Sequence, residues 1–291
     1  MNRVAIICFL LLKSLFTLGQ SAPNTILWQV SKPGSQHKSY LFGTFHEVNP
    51  DFFESLPNAL KKLHTAKKVY LERLSPIGDT TGHHRLHTWN QAKWNKILDS
   101  DQQKIFQEFV TKADDSIYYL VAPLVLLRSL TGMYYQNFCD TVGRVSVEQM
   151  DQRIEQLAKK NGQNTLALDT DQIDIFLKST AHDYVLLDSG YAKTCIKFMN
   201  AMLNEDNSGC KAIVDYKAFH LDYQFDTSLS EVKLPSPLLL DRNDKWITEL
   251  NKTFMNQDCF VAVGIGHLYY KEGMIVQLRN LGYKVEPISP R

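Results

Sequence analysis

Apolar residues along this chain fall into short runs, and the spacing within each run separates strands from helices. Residues 25–30 and 39–42 are β-type runs on either side of Lys32-Pro33-Gly34-Ser35, which predicts a hairpin. Residues 57–68 carry Leu60 and Leu63 at helical spacing with lysines between them, an amphipathic helix. Val69-Tyr70-Leu71 then reads as a short buried strand ending at Glu72. Residues 76–90 are polar, rich in His and Gly, and predict a loop. From 98 to 135 the pattern is helical, with 117–130 apolar enough for a core helix. A charged amphipathic helix spans 147–161 and closes at Gly162, and Thr165-Leu-Ala-Leu168 is a further strand before Asp169. Helical patterns continue through 171–222, and residues 227–237 read as a linker or ordered loop. A helix over 238–256, a strand over 259–263, a helix over 271–281 closed by Gly282 and a strand over 284–288 complete the chain.

Short strands each followed by helices, with a long helical middle, predict an α/β fold: a mixed sheet flanked by helices. With 44% hydrophobic and 22% charged residues the 291-residue chain has an ordinary globular composition. Its 32 basic and 31 acidic residues leave a formal charge of +1, so no broad basic field is available for nucleic acid.

The start of the chain reads as an address. Arg3 precedes the apolar run 4–12, Lys13 interrupts it, and Gly19 and Ser21 supply small residues at the exit, as in a secretory signal peptide. The run is too short for a spanning helix, which needs roughly 20 residues. The expected organisation is a signal peptide over 1–21 and one catalytic domain over 22–291. The mature protein would be periplasmic or extracellular, with no stable membrane anchor. Removing Cys8 leaves Cys139, Cys195, Cys210 and Cys259, an even number in an oxidising compartment. Cys195 and Cys210 are closest in sequence and are the expected bridge; four free thiols are the alternative.

One feature recurs. A strand runs into Gly-x-x-His twice, at Gly43-Thr44-Phe45-His46 and at Gly264-Ile265-Gly266-His267. In open α/β sheets ligands gather beyond the carboxyl ends of strands. Glycine permits close backbone approach there, and imidazole supplies a metal ligand or a general base. Glu72, at the end of a third strand, would complete a two-histidine, one-carboxylate set with open positions for water. Each element alone is a common structural feature, a turn histidine or a strand-end ion pair; the pairing carries the reading.

The stretch from Leu41 to His46, followed by a Pro-containing loop, an amphipathic helix and Val69-Tyr-Leu-Glu72, resembles the opening of the TraB/GumN family. Met150-Asp151-Gln152-Arg153-Ile154, Leu166-Ala-Leu168-Asp169-Thr170, Asp241-Arg242-Asn243-Asp244-Lys245-Trp246 and Phe260 to Leu268 resemble its later signatures. Where the family usually carries Glu, this chain has Asp169. The resemblance covers about residues 26–288 and implies a fold similar to the erythromycin-esterase/ChaN-like group and kinship with the Tiki metalloproteases. It further implies a metal-dependent peptidase using manganese or cobalt and acting on a peptide or protein. His46, Glu72 and His267 would be the metal ligands and, with Arg242, the catalytic residues. Gly43, Thr44, Asn243 and Gly266 would touch substrate. Asp151 and Asp169 match acidic positions that would organise the fold, and Arg242 would hold a substrate carboxylate or a developing oxyanion, or else form a structural ion pair.

Other chemistries lack their motifs. There is no Gly-x-Ser-x-Gly turn, no His-Glu-x-x-His, no P-loop and no complete dinucleotide loop. His83, His84 and His87 cluster beside Gly82 and Thr/Asn residues and read as loop residues. The same paired histidines would serve a metal-free hydrolase with a histidine base, and a peptide- or signal-binding protein without turnover is the remaining alternative.

Overall fold

The computed structural model describes residues 24–74, 89–141, 148–169, 185–231 and 236–291. Residues 1–21, read above as a signal peptide, and His83, His84 and His87 lie outside these, as does the whole stretch 170–184.

The hairpin forms as expected from β1 (Leu27–Ser31) and β2 (Lys38–Thr44), paired antiparallel with Leu27 opposite Phe42. Gly34 in the turn has φ 83°, a left-handed conformation that glycine adopts without steric cost. Helix α1 (Asp51–Glu54) and helix α2 (Pro57–Thr65) follow, the latter with proline at its first turn and Ala59 and Leu63 buried. Strand β3 (Lys68–Leu71) enters the sheet.

The expected long helix over 98–135 is broken into pieces, and local chemistry explains each break. Helix α3 (Gln91–Ile97) stops and Asp99 restarts the chain as α4 (Ser100–Ala113) through a capping box with Gln102. Asp114 ends that helix in the left-handed region, φ 52°. A single 3-10 turn covers Ser116–Leu120, where Ile117 and Leu120 are exposed, so the expected core helix over 117–130 does not form as one piece. Helix α5 (Pro123–Tyr134) begins at Pro123, which a helix accepts at its start but not inside. It runs on into a π-helical turn, Tyr135–Cys139.

Helix α6 (Met150–Lys160), strand β4 (Asn164–Ala167), helix α7 (Val185–Leu203), helix α8 (Lys211–Lys217) and helix α9 (Ser236–Phe254) carry the chain to β5 (Cys259–Gly264). Helix α10 (Met274–Asn280) is shorter than the expected 271–281. A Cβ at Gly273 would lie 2.2 Å from the Tyr269 carbonyl, so the chain makes a tight turn there before the helix begins. Strand β6 (Lys284–Ile288) ends the fold.

The six strands lie in the order β4-β3-β5-β2-β1-β6. β4, β3, β5 and β2 are mutually parallel, and β1 is antiparallel to both β2 and β6. The α/β expectation is met by a mixed sheet with helices around it. β5 occupies the interior of the sheet, and its Cys-Phe-Val-Ala-Val run is apolar on both faces, as a doubly covered parallel strand requires.

Among the described residues two hydrophobic cores form. One joins the sheet to its flanking helices through Trp28, Phe42, Phe53, Trp246 and Phe260. The other lies within α3, α4, α5 and α7, around Trp94, Phe106, Leu130, Cys195 and Met199. A disulfide, Cys139–Cys210, ties the end of the π-helical turn to the segment after α7. The expected Cys195–Cys210 pairing is therefore wrong: Cys195 points into the helical core and donates to the Pro123 carbonyl, and Cys259 is a buried free thiol as well. Spatial neighbours chose the partner, and sequence proximity did not. Among the described residues no helix is long and apolar enough to cross a membrane.

Candidate functional site

Three adjacent parallel strands, β3, β5 and β2, deliver the predicted residues to one end of the sheet. Thr44 pairs with Gly264, and Leu71 with Ala262. The segments after these strands therefore start side by side: His46 follows β2, Glu72 follows β3, and His267 sits in a 3-10 turn, Ile265–Leu268, that follows β5. β3–β4 pairing continues past the strands, since Asp169 N–H donates to the Glu72 carbonyl (2.9 Å), and this places a second carboxylate beside the first.

Gly264 is the floor of the cluster. A Cβ added there would lie 3.0 Å from Glu72 Oε1, 3.6 Å from His46 Nε2 and 3.9 Å from His267 Cδ2. The three predicted groups thus converge on one small space, which the absence of a side chain keeps open. Gly264 N–H also donates to Glu72 Oε1 at 2.7 Å.

Each histidine is anchored by its far nitrogen. His46 Nδ1 lies 2.5 Å from Asp151 Oδ2, contributed by the first turn of α6. His267 Nδ1 lies 2.7 Å from Asn243 Oδ1 on α9. Asn243 Nδ2 donates to the carbonyls of His267 and Glu272, so its oxygen is the acceptor and His267 carries its proton on Nδ1. The lone pair of a neutral His267 is then on Nε2, which stands 3.6 Å from Glu72 Oε1.

Arg242, one residue before Asn243, locks the carboxylates. Its Nη2 bonds Glu72 Oε2 and lies 2.7 Å from Asp169 Oδ2; its Nε donates to Asp169 at 2.8 Å, and Nη1 stands 3.1 Å from His267 Nε2. Trp246, one helical turn on, supports this from below: its ring lies 4.5 Å from the guanidinium and its Nε1 donates to Asp169 Oδ1 at 2.8 Å. A helix presents residues four apart on one face, so α9 supplies Arg242 and Trp246 as a unit.

The electrostatics push the two histidines in opposite directions. Burial alone would lower His46, but Asp151, Glu72 and Glu47 outweigh it and raise the ring to about 9. Burial, with help from Arg242 and His46, lowers His267 to about 4 against the pull of Glu72. Burial would raise the Glu72 carboxyl, yet His267, Arg242, His46 and the Gly264 amide hold it well below the ordinary carboxylate range. At neutral pH the site therefore pairs a charged His46 with a neutral His267 beside an ionised Glu72.

The substrate-contact candidates distribute less evenly. Thr44 is fully buried at the end of β2, and among the described residues its hydroxyl has no hydrogen-bond partner. Gly43 makes room for Ile265 and Leu268, and its carbonyl accepts from Tyr216 Oη at 2.8 Å. Asn243 orients His267, and Gly266 is exposed, where among the described residues an added Cβ would lie 3.9 Å from Leu239. Asp151, Asp169 and Trp246 are partners of the cluster that spacing alone did not single out as site residues, whereas Gly264 opens the second Gly-x-x-His element. The acidic pair had a family signal; Trp246 could have been found from its position one turn after Arg242.

The TraB/PrgY/gumN family model matches residues 26–287 of the chain, nearly its full length. No curated protein and no solved structure gives a significant match.

Proposed function

The chain belongs to the TraB/PrgY/gumN family, and from that membership we propose that it is an exported hydrolase that cuts an amide bond in a peptide or protein substrate. Water would be activated where His46, Glu72 and His267 meet. The observation that carries this reading is their convergence on the space above Gly264.

The residues fit a divalent cation, manganese or cobalt. Metal-bound histidines are typically held through their second nitrogen, and both rings here are anchored at Nδ1 with Nε2 left for the cluster. Negative charge from Asp151, Glu72 and Glu47 surrounds His46, and the buried Thr44 hydroxyl and Asp151 Oδ1 have no hydrogen bonds among the described residues. His46, Glu72 and His267 would hold the metal, which would supply a water acidified towards neutrality. Arg242 keeps a fixed positive charge beside the cluster, pinned by Asp169 and Trp246, and suits a developing oxyanion. The carboxylate of Asp151 keeps the His46 ring in one orientation, and Asn243 does the same for His267.

One contact favours a second, metal-free reading. Arg242 already engages Glu72 Oε2 and faces His267 Nε2, and among the described residues no three His, Cys, Asp or Glu side chains form a ready-made metal cage. In that version neutral His267 takes the proton of the attacking water and charged His46 returns one to the leaving amine.

The test uses protein beginning at residue 22, wild type beside His46→Ala and His267→Ala. Metal content, melting with added manganese or cobalt, and cleavage of a mixed peptide pool read by mass spectrometry are measured together. Chelator-sensitive cleavage and a metal-dependent melting rise, both lost in the variants, are expected. Cleavage that ignores chelator but needs the histidines selects the metal-free version. Peptide binding that survives both substitutions, without turnover, overturns the hydrolase reading.

A further inference from the structure

Thr44 closes β2 with its side chain fully buried, and among the described residues its hydroxyl has no hydrogen-bond partner. Buried polar groups are satisfied almost without exception, by protein or by ordered water, so such a hydroxyl marks a partner that is neither backbone nor side chain. Valine has the same branched shape and the same preference for strands, and it would fill the position without leaving a polar atom unpaired. The hydroxyl therefore needs a reason of its own.

Alternation along β2 says where the side chain points. A Cβ on Gly43 would run into Ile265 and Leu268, so that face of the strand looks towards the turn after β5. Thr44, the next residue, projects from the opposite face, the one on which Phe42 meets Phe53 of α1 and Phe260 of β5. Thr44 is also the register partner of Gly264 across the parallel β2–β5 ladder. Register partners project from the same face and adjacent strands lie about 5 Å apart, so the Thr44 side chain stands about that far from the Cβ direction of Gly264. That direction leads into the space bounded by Glu72 Oε1, His46 Nε2 and His267 Cδ2, at 3.0, 3.6 and 3.9 Å from an added Cβ. The hydroxyl thus borders the same small polar space as the three predicted groups.

Burial also sets the size of its partner. A side chain with no exposed surface meets only what lies inside that space, and a water suits a site that offers it roughly two to four polar groups. A hydroxyl oxygen can accept one of the water's hydrogens. We infer that Thr44 Oγ1 holds the nucleophilic water, accepting one hydrogen so that a lone pair turns towards the substrate carbonyl. The inference rests on the hydrolase reading and deepens it, making Thr44 a further catalytic residue that touches the attacking water. As the water oxygen bonds the carbonyl carbon, its other proton passes to the cluster and then to the leaving amine when the C–N bond breaks. The hydrogen held by Thr44 stays on the new carboxylic acid, and Thr44 neither gains nor loses a proton.

The experiment compares protein beginning at residue 22 as wild type, as Thr44→Val, which removes only the hydroxyl, and as Thr44→Ser, which keeps it. Kinetics on one peptide from the pool cut by the wild type, melting, and high-resolution crystal structures of wild type and Thr44→Val are measured. Both variants are expected to melt near the wild type. Thr44→Val should lose kcat about tenfold or more with KM unchanged, and Thr44→Ser should recover most of it. In the crystals an ordered water is expected about 2.8 Å from Thr44 Oγ1, in the space over Gly264, and displaced or absent in Thr44→Val. Wild-type kcat in Thr44→Val makes the residue a plain strand position, and a KM rise at constant kcat makes it a substrate contact; either overturns the inference. If the wild type cuts no peptide, the hydrolase reading fails by itself and the crystals decide the water site. A water bonded to Oγ1 and lost in Thr44→Val upholds it, and no water at Oγ1 in the wild type overturns it.

Discussion

Replacing Gly264 by alanine separates the site from the fold. The residue has φ −51° and ψ 134°, a conformation open to any L-amino acid, so alanine meets no backbone strain. Losing glycine's freedom in the unfolded chain stabilises by about 0.4–1 kcal/mol. Against this, the new methyl would sit 3.0 Å from Glu72 Oε1, and that carboxylate must give by a few tenths of an ångström. Glu72 is held by Gly264 N–H and by Arg242, so weakening one charge-assisted hydrogen bond costs about 1 kcal/mol. The two effects offset each other, and the melting temperature is expected to move by no more than about 4 °C. Function responds differently, because the methyl occupies the space bounded by Glu72 Oε1, His46 Nε2 and His267 Cδ2. Displacing a reacting water by about 1 Å is enough for a 100-fold loss, so peptide cleavage should fall at least that far and any metal-dependent melting rise should vanish. Gly190→Ala, in α7 of the helical core, is the control: among the described residues nothing lies within 4 Å of its added Cβ, so activity should stay near wild type and stability should not fall. Calorimetry beside the peptide-pool assay gives both numbers on the same samples. Activity within about threefold of wild type in Gly264→Ala would refute the placement of the chemistry. A melting loss well beyond the few degrees allowed would refute the claim that the position is conformationally undemanding.

Two further outcomes follow from the same geometry. In chelator-treated protein the raised His46 pKa makes stability pH-dependent: the unfolded ring titrates near 6.5 and the folded ring near 9. The contribution is complete below pH 6.5 and is lost as pH rises through 9, up to about 3 kcal/mol, and urea unfolding at pH 6 and pH 9.5 should show it. His46→Asn should flatten that alkaline limb, and an unchanged limb in the variant would reject the assignment. The Cys139–Cys210 bridge closes a 71-residue separation, for which chain entropy gives about 4 kcal/mol. Cys139→Ala with Cys210→Ala should lower the melting temperature by roughly 10 °C, while Cys195 and Cys259 stay unlabelled by a thiol reagent in the native protein and a mass-spectrometric label at either would contradict their burial.

The parts of the site that could be read from the sequence are those fixed by local rules. A buried strand running into glycine and then histidine states its own geometry, because a parallel strand must end in a loop and glycine lets that loop turn close to its neighbours. Two such strands and the Val69-Tyr-Leu-Glu72 strand end at one edge of the sheet only because β5 lies between β2 and β3, an order set by packing between segments some 200 residues apart. That order also explains what was not legible. Asp169 belongs to the site because β4 pairs with β3 one residue beyond Leu168, and Asp151 because α6 delivers its first turn to His46. Neither relation leaves a periodic trace in the chain. The disulfide failed for the same reason: sequence distance favours Cys195–Cys210, but Cys195 faces inward from α7 and only Cys139 meets Cys210 across the junction. Helix breaks inside 98–135 were the opposite case, since Asp99, Asp114 and Pro123 were all in plain view and the apolar pattern running through them masked their local effect. Hydrophobic periodicity reports which face of a segment is buried; capping and proline chemistry report where it must stop, and the two have to be weighed together. The same reasoning bears on the cluster itself. The two histidines share a motif, so the sequence treats them as equivalent. Their surroundings differ, and the groups responsible are distant in sequence: Asp151 and its neighbouring carboxylates keep His46 a cation against its burial, while burial, Arg242 and His46 leave His267 a neutral acceptor at pH 7.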